Sequence, residues 1–363
     1  VPASPPTSAG RLPAALFFDL DGTLLAPGAV LTGRTAAALQ AAAGAGATLV
    51  LSTGGFSGRT HHLARILGAS IPQGVWTVTH NGAAIWDPAG RLVHHHPLPG
   101  AALEAALAHA GPRVWVTYEA VDHRPAEGES HTGVYYAGRL RHEMVPFLWG
   151  PQEERGGQGN RGPRASAPGG GQGAGPQASA LGGDVPVGLE PRWDWRRARS
   201  PATYNRAAVL GAWCIGSPEA LAALDAQVEG GRLRGARYLP WSSRLGQLLG
   251  RPRLNLAGRD MQASGCSKGA AASWLCHRLG IDPQDTAAFG DADNDLELLD
   301  FAGTAVVMAN ATPRVMALAQ ATPEGPPRVL VAPSNREDGV ARVLASWLAR
   351  ARAEGPSLAG TSG

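Results

Sequence analysis

The chain has 363 residues, 44% of them hydrophobic, enough to bury one large or two ordinary cores and too long for a small stapled module. Its formal charge of +3 comes from arginines scattered between 155 and 259 rather than a dense stripe interleaved with aromatics, so nucleic acid is not an expected partner. Three cysteines, Cys214, Cys266 and Cys276, form no CxxC pair and cannot all pair with one another, which points to a reduced, cytoplasmic setting; no apolar run approaches the ~18 residues of a membrane span.

Residues 1–13, VPASPPTSAGRLP, have neither a basic start nor an apolar core and read as a flexible tail. AALFF, 14–18, is a short apolar run stopped by acids and Gly22, the pattern of a buried strand entering a loop. An Ala-rich helix is predicted over 32–46 and a second buried strand over 47–52, followed by the turn TGGFSG and a helix over about 59–68. VWTVT, 75–79, supplies a third strand. Strand, helix, strand, helix, strand with near-continuous apolar strands predicts a parallel sheet covered on both faces.

The rhythm changes after NGAAIWD, 81–87, and a second α/β domain is expected over 86–258. Within it, a helix near 100–110 leads to VWVTYE, whose alternation suggests a sheet with one exposed face. Residues 150–191 are so rich in Gly, Pro, Gln and Ser that they read as a disordered insertion. Folded patterning resumes with AAVLGAWCIG, 207–216, a helix over about 218–227 and a strand near 253–257. The parallel-sheet rhythm then returns over 259–352, with a helix at 267–280, strands at 286–291, 305–310 and 328–333, and a closing helix. The last residues, 353–363, read as a second tail. The first domain therefore comprises 14–85 and 259–352.

Ligands of an open parallel sheet sit beyond the carboxyl ends of its strands, so polar residues that end several strands converge although far apart in sequence. Four such ends stand out: Asp19 with Asp21, Thr53 with Gly54, Lys268 at a helix start, and Asp291 with Asn294 and Asp295. Together they suggest phosphoryl transfer through an aspartyl phosphate. Asp19, first after the strand, is placed to attack phosphorus. Asp21, two residues on, is close enough to protonate the leaving oxygen and later deprotonate water. Acids facing a dianionic phosphate need a cation, and Mg²⁺ takes oxygen ligands of the kind offered by Asp19, Asp291 and the backbone carbonyl of Asp21. Thr53 and the Gly54 amide would donate to phosphoryl oxygens, and Lys268 would neutralise developing charge. Asn294 can reach phosphate or metal-bound water, while Asp295 orients its neighbours from behind them.

Each residue alone has a plainer reading: DxDG as a turn, Thr53 as a helix cap, Lys268 as a solvated lysine. GDADND lacks the twelfth-position Glu of a calcium loop. The run His94, His95 and His96 and the pair His61 and His62 have no Cys or carboxylate at ligand spacing, so packing or surface roles are expected. The ordered conjunction of all four strand ends favours the composite site.

Those four stretches, FFDLDGTLL, LSTGG, SKG and GDADND, closely resemble the motifs of the haloacid dehalogenase-like superfamily of phosphohydrolases. The long gap between the second and third resembles the site of the larger, C2-type α/β cap of the Cof-type and sucrose-phosphatase-like branch. NGAAI, VVMANA and SNREDGVARVL are also similar to that branch. The resemblance implies a Rossmann-like parallel-sheet core, a separate cap, Mg²⁺ as cofactor, and a small phosphorylated metabolite such as a sugar phosphate as substrate. It assigns Asp19 as nucleophile, Asp21 as acid/base, Thr53 to phosphate, Lys268 to charge neutralisation and Asp291 to the metal, with Asn294 and Asp295 in support. A phosphomutase of related fold and a catalytically weak phospho-ligand-binding protein stay open as alternatives. Two departures concern substrate. Related sequences read TGR where this one has Thr53, Gly54, Gly55, so Arg59 is the candidate replacement for a missing arginine. Ala309 stands where glycine is usual. His131, Tyr135, Arg139 and Arg141 are the cap's candidate polar contributors.

Overall fold

The computed structural model describes residues 12–123, 130–137, 183–186, 195–197, 209–229, 234–242, 256–320 and 328–353. Two large sheets organise them. The first has eight strands in the order β16 (Val329–Ala332), β15 (Thr304–Met308), β14 (Thr286–Gly290), β1 (Ala15–Phe18), β3 (Thr48–Ser52), β4 (Trp76–Thr79), β5 (Ala84–Trp86) and β6 (Leu92–His95). The first six are mutually parallel; β5 and β6 turn back antiparallel.

The sequence ALFF makes β1 the sheet's centre because both of its faces are covered. Leu16 and Phe18 join Leu49, Leu51, Phe289 and Val306 against helices α1 (Gly33–Gly44), α2 (Ser57–Gly68) and a C-terminal helix at Gly339–Ala353. Ala15 and Phe17 pack on the other face with Val50, Val78 and Val307 against a helix at Lys268–Leu279. Burying a side chain the size of Phe17 or Phe18 stabilises the fold by roughly 1.5–3 kcal/mol. The register then does the positioning: Phe18 pairs with Phe289 on one side and Leu51 on the other. The residues that follow these three leave the sheet at one edge, side by side.

The second sheet runs β10 (Trp195–Arg197), β8 (Ser130–Ala137), β7 (Val114–His123), β11 (Val209–Gly216), β13 (Ala257–Ala263) and β12 (Ala236–Ser242). Its apolar face, including Val116, Tyr118, Ala212, Cys214 and Met261, packs on Leu103 and Ala106 of α3 (Gly100–His109) and Leu221 and Leu224 of α4 (Pro218–Glu229). Strand alternation leaves Thr117, Glu119, Trp213, Asp260 and Gln262 on the opposite face.

Sheet membership moves the expected division of the chain. β5 and β6 extend the first sheet beyond residue 86, because AIW and LVHH form a hairpin whose Trp86 pairs with Thr77 of β4. At the other end β13 carries the second sheet to Ala263, past the expected 258. The tail expected over 1–13 also ends earlier, since Leu12 packs into the core. Within the insertion expected over 150–191, β9 (Val185–Pro186) pairs antiparallel with β2 (Val30–Leu31), and Asp184 Oδ1 accepts the Gly33 backbone N–H at 3.1 Å. Val-Pro suits an edge strand, and Asp184 meets an orphan donor at the start of α1. The remainder of that insertion and the tails before 12 and after 353 lie outside the described residues, as do Arg139 and Arg141; the side chains of His131 and Tyr135 also lie outside them.

Candidate active site

At the exit of β1, Asp19 is buried and Lys268 Nζ donates to its Oδ1 at 2.5 Å. The same ammonium donates to Asp295 Oδ1 at 2.6 Å. Lys268 opens its helix behind Ser267, whose hydroxyl accepts the Ala270 N–H as an N-cap, so the lysine is fixed at the first helical position. Asp291 follows β14 and accepts from Thr23 Oγ1 at 3.0 Å. Asp295 Oδ2 accepts the backbone N–H groups of Asp291 and Ala292 at 3.1 and 3.0 Å. Asp295 thus holds the loop and the lysine together.

Gly22 explains the last letter of DxDG. Its φ is +92°, and a Cβ there would overlap the Asp291 carboxylate. Only glycine combines that backbone with that approach. Asn310 ties the far side down by donating to Gly22 O at 2.8 Å and Asp291 Oδ2 at 3.4 Å.

Asp19, Asp291 and Asp295 each offer an oxygen within 4.8 Å of the others. Among the described residues this is the one cluster of three metal-ligand side chains. Burial and the neighbouring Asp295, with Asp291 adding to it, raise the Asp19 carboxyl well above its ordinary range against the pull of Lys268. Burial, then Asp295, pushes Asp291 up to about 7. Burial alone would lower the Lys268 ammonium, but Asp19 and Asp295 outweigh it and hold the proton. One lysine facing three acids leaves an excess of negative charge on an all-oxygen donor set, which fits a hard divalent cation such as Mg²⁺.

Thr53, Arg59 and Asn294 are brought to the same edge but with particular commitments. Thr53 is buried, donates its N–H to Val78 O at 2.9 Å and accepts the Gly55 N–H on Oγ1 at 3.0 Å. Arg59 pairs with Asp21. The Asp21 carboxylate is more than half exposed and stands outside the acidic cluster, leaving its backbone carbonyl as its expected metal contribution. Asn294 Nδ2 donates to Asn81 Oδ1 at 2.8 Å rather than facing the cluster alone. Gly54 lies against the same Asn81 carboxamide, where a Cβ would sit 2.8 Å from Oδ1.

Asn81 was visible only as part of NGAAI, and its partner Asp260 carried no local signal. Asp260 Oδ2 accepts from Asn81 Nδ2 at 2.5 Å. His80 and Glu119 also escaped the sequence reading. Their Nε2 and Oε2 atoms lie 3.4 Å apart, both side chains are fully buried, and burial pushes the imidazole down to about 3. His61 packs edge-on against Trp86 and His94 stacks on Trp274, which are packing roles. The three cysteines are free and buried, with thiols pushed upward by burial, so none is a competing nucleophile.

A profile of haloacid dehalogenase-like hydrolases matches residues 16–120 and 259–344, more than half of the chain. The chain belongs to that family. Both matched blocks carry strand ends of the site, and the gap between them falls within the second sheet. This hydrolase resembles the HMP-PP phosphatase of Yersinia enterocolitica, 39% identical over 89 residues, covering 24% of this chain and 30% of the relative. The HMP-PP phosphatase of Cronobacter sakazakii is 42% identical over 84 residues, covering 23% and 28%. The match thus spans less than a third of the length of these curated relatives. In fold it resembles a haloacid dehalogenase-like hydrolase from Bacteroides thetaiotaomicron, with a TM-score of 0.61 at 18% identity over 92% of this chain and 98% of the other. A subclass IIB sugar phosphatase gives 0.57 at 17% identity, covering 92% and 98%. The α/β Rossmann-like core of a haloacid dehalogenase-like hydrolase is therefore the fold, and no described helix is long and apolar enough to cross a membrane.

Proposed function

We propose that this hydrolase is a Mg²⁺-dependent phosphatase of a small phosphomonoester, a sugar phosphate or related metabolite, acting through an aspartyl phosphate on Asp19. The observation that carries this reading is the buried Asp19 carboxylate, held through one oxygen by Lys268 at 2.5 Å and grouped with Asp291 and Asp295. A carboxylate fixed through one oxygen keeps the other for in-line attack, so the Asp19 oxygen–phosphorus bond forms as the bond to the leaving oxygen breaks. Asp21, more than half exposed and paired with Arg59, protonates the leaving oxygen. It then takes a proton from the water that cleaves the acyl phosphate. Thr53 and the Gly54 amide hold phosphoryl oxygens, and Lys268 keeps the acids from repelling the substrate. Asp19 and Asp291, with the Asp21 carbonyl, would hold Mg²⁺, which when bound offsets the negative charge of phosphate and acids.

The second sheet and its two helices serve in this reading as the cap. Arg59 and the cap's polar face then select the leaving group. The test is a panel of phosphomonoesters, including sugar phosphates and phosphorylated cofactors, with phosphate release read with and without MgCl₂. Release from at least one member that collapses on chelation is the expected result. No release from any, or release indifferent to chelation, would count against the reading.

A further inference from the structure

The carboxamide of Asn81 stands where three parts of the site meet. Its Oδ1 accepts from Asn294 Nδ2 at 2.8 Å, and its Nδ2 donates to Asp260 Oδ2 at 2.5 Å. Its backbone N–H donates to Thr53 O at 3.0 Å, and its side chain lies against Gly54. Asn81 reaches this position with φ +51°, a left-handed backbone that Asn tolerates better than most residues. Asp260 belongs to β13 of the second sheet, while Asn81 and Asn294 belong to loops of the first. Both Asn81 and Asp260 are buried.

We propose that Asn81 is a positioning residue that sets Thr53–Gly54 and Asn294 in their working places, and that Asp260, reaching across from the cap sheet, fixes which way its carboxamide faces. The direction follows from donor chemistry. Asp260 presents Oδ2 as an acceptor, so it draws the amide nitrogen of Asn81 and turns the amide oxygen towards Asn294. Without that acceptor the carboxamide is free to turn over, and Asn294 would face a second donor. Gly54 leaves the space the carboxamide needs. The line Asn294 to Asn81 to Asp260 is then a mechanical link from the fourth motif, past the second, into the cap, and neither Asn81 nor Asp260 touches substrate in it.

The inference rests on the phosphatase reading, and the experiment separates the two. Wild-type turnover of para-nitrophenyl phosphate and of the best substrate from the panel is measured first with MgCl₂; its absence sinks the reading itself. With turnover in hand, Asn81→Ala should lower kcat by about 30-fold or more with KM changed less than about threefold, since small misplacements of reacting groups are paid mainly in rate. Asn81→Asp sets two buried acids against each other and should lose roughly tenfold or more. The exchange Asn81→Asp with Asp260→Asn restores a donor at 260 and acceptors at 81, and should recover kcat to within about fivefold of wild type. Melting temperature is followed on every preparation, and the exchange carries the test if Asn81→Ala does not fold. A kcat within twofold of wild type for Asn81→Ala, or an exchange variant no faster than Asn81→Asp alone, overturns the proposal.

Discussion

Asp19 is the proposed nucleophile, buried among Lys268, Asp291 and Asp295. Burial and the neighbouring Asp295 and Asp291 make its negative charge unwelcome, while Lys268 favours it. Replacing it with the isosteric amide removes the proposed attacking oxygen and one of the crowded charges together. Asp19→Asn should therefore keep less than about a tenth of wild-type turnover while the melting temperature of the metal-free protein does not fall. Asp291→Ala should instead leave a folded enzyme whose Mg²⁺ dependence of turnover moves to higher concentration by about tenfold or more, read from a metal titration. Asp260 gives a pH signature free of metal. Burial lifts its folded carboxyl to about 7, against the pull of Asn81 and Arg237. A raised folded value means stability present in full below the ordinary carboxylate range and lost as pH rises towards 7. His80 acts in the opposite sense: held neutral down to about 3, it loses stability as pH falls through the ordinary imidazole range. The difference between wild type and Asp260→Asn isolates the acid. Between pH 4 and 7 the variant should gain on wild type with a slope of up to roughly 1.4 kcal/mol per pH unit, measured by denaturant unfolding at each pH. Parallel curves would mean that Asp260 titrates normally.

At the scale of elements, the strands and helices of the first sheet follow closely from apolar runs and the residues that stop them. ALFF, TLVLS and TAAFG announced both a buried strand and, by the polar residue after each, a place in the site. Asn81 and Asp260 did not, because their hydrogen bond joins positions 179 residues apart. β13, AGRDMQA, reads as neither alternating nor continuously apolar, so its acid had no pattern to stand out from. The insertion shows the same limit in reverse. Its composition concealed Asp184 and Val185, whose contacts are with Gly33 and Leu31. Two replacements by a short Gly/Ser linker test this division. Replacing 155–181 should leave melting temperature and turnover nearly unchanged, because lengthening or shortening a loop by a factor of two alters closure by only ~0.6 kcal/mol. Replacing 155–186 also removes the acceptor for Gly33 N–H and the β2–β9 pairing, and should lose roughly 1 kcal/mol more. Equal melting temperatures for the two would show that Asp184 and Val185 contribute nothing to α1.

Across the whole molecule, the two sheets meet through buried acids rather than through an apolar seam alone. Phe56 packs at a tilt against Trp213 of β11 with 4.3 Å between centroids, and Glu119 of β7 reaches the start of α2. Its Oε2 accepts the Ser57 N–H at 2.9 Å, and its Oε1 accepts from the Ser57 hydroxyl. The residue ahead of that helix is Phe56, which has no side chain able to cap it, so an acid from the other sheet caps the helix instead. The helix dipole favours an anion at that end. Because α2 directly follows the Thr53–Gly54 turn, this contact between the two sheets lies next to the proposed phosphate site. Glu119→Ala removes this acceptor from the Ser57 N–H and hydroxyl and should cost about 1–3 kcal/mol, a fall in melting temperature of roughly 1–2 °C for each kcal/mol in a chain of this size. Glu119→Gln keeps an acceptor for Ser57 N–H and should lose less. The rate should follow the same order, with kcat lower for Ala than for Gln, since the substitution loosens a turn in the site as well as a helix end. Calorimetry on the three proteins, with turnover measured on the same samples, checks both halves: an unchanged melting temperature for Glu119→Ala would deny the cap its hold on α2, and an unchanged kcat beside a lowered melting temperature would confine Glu119 to stability.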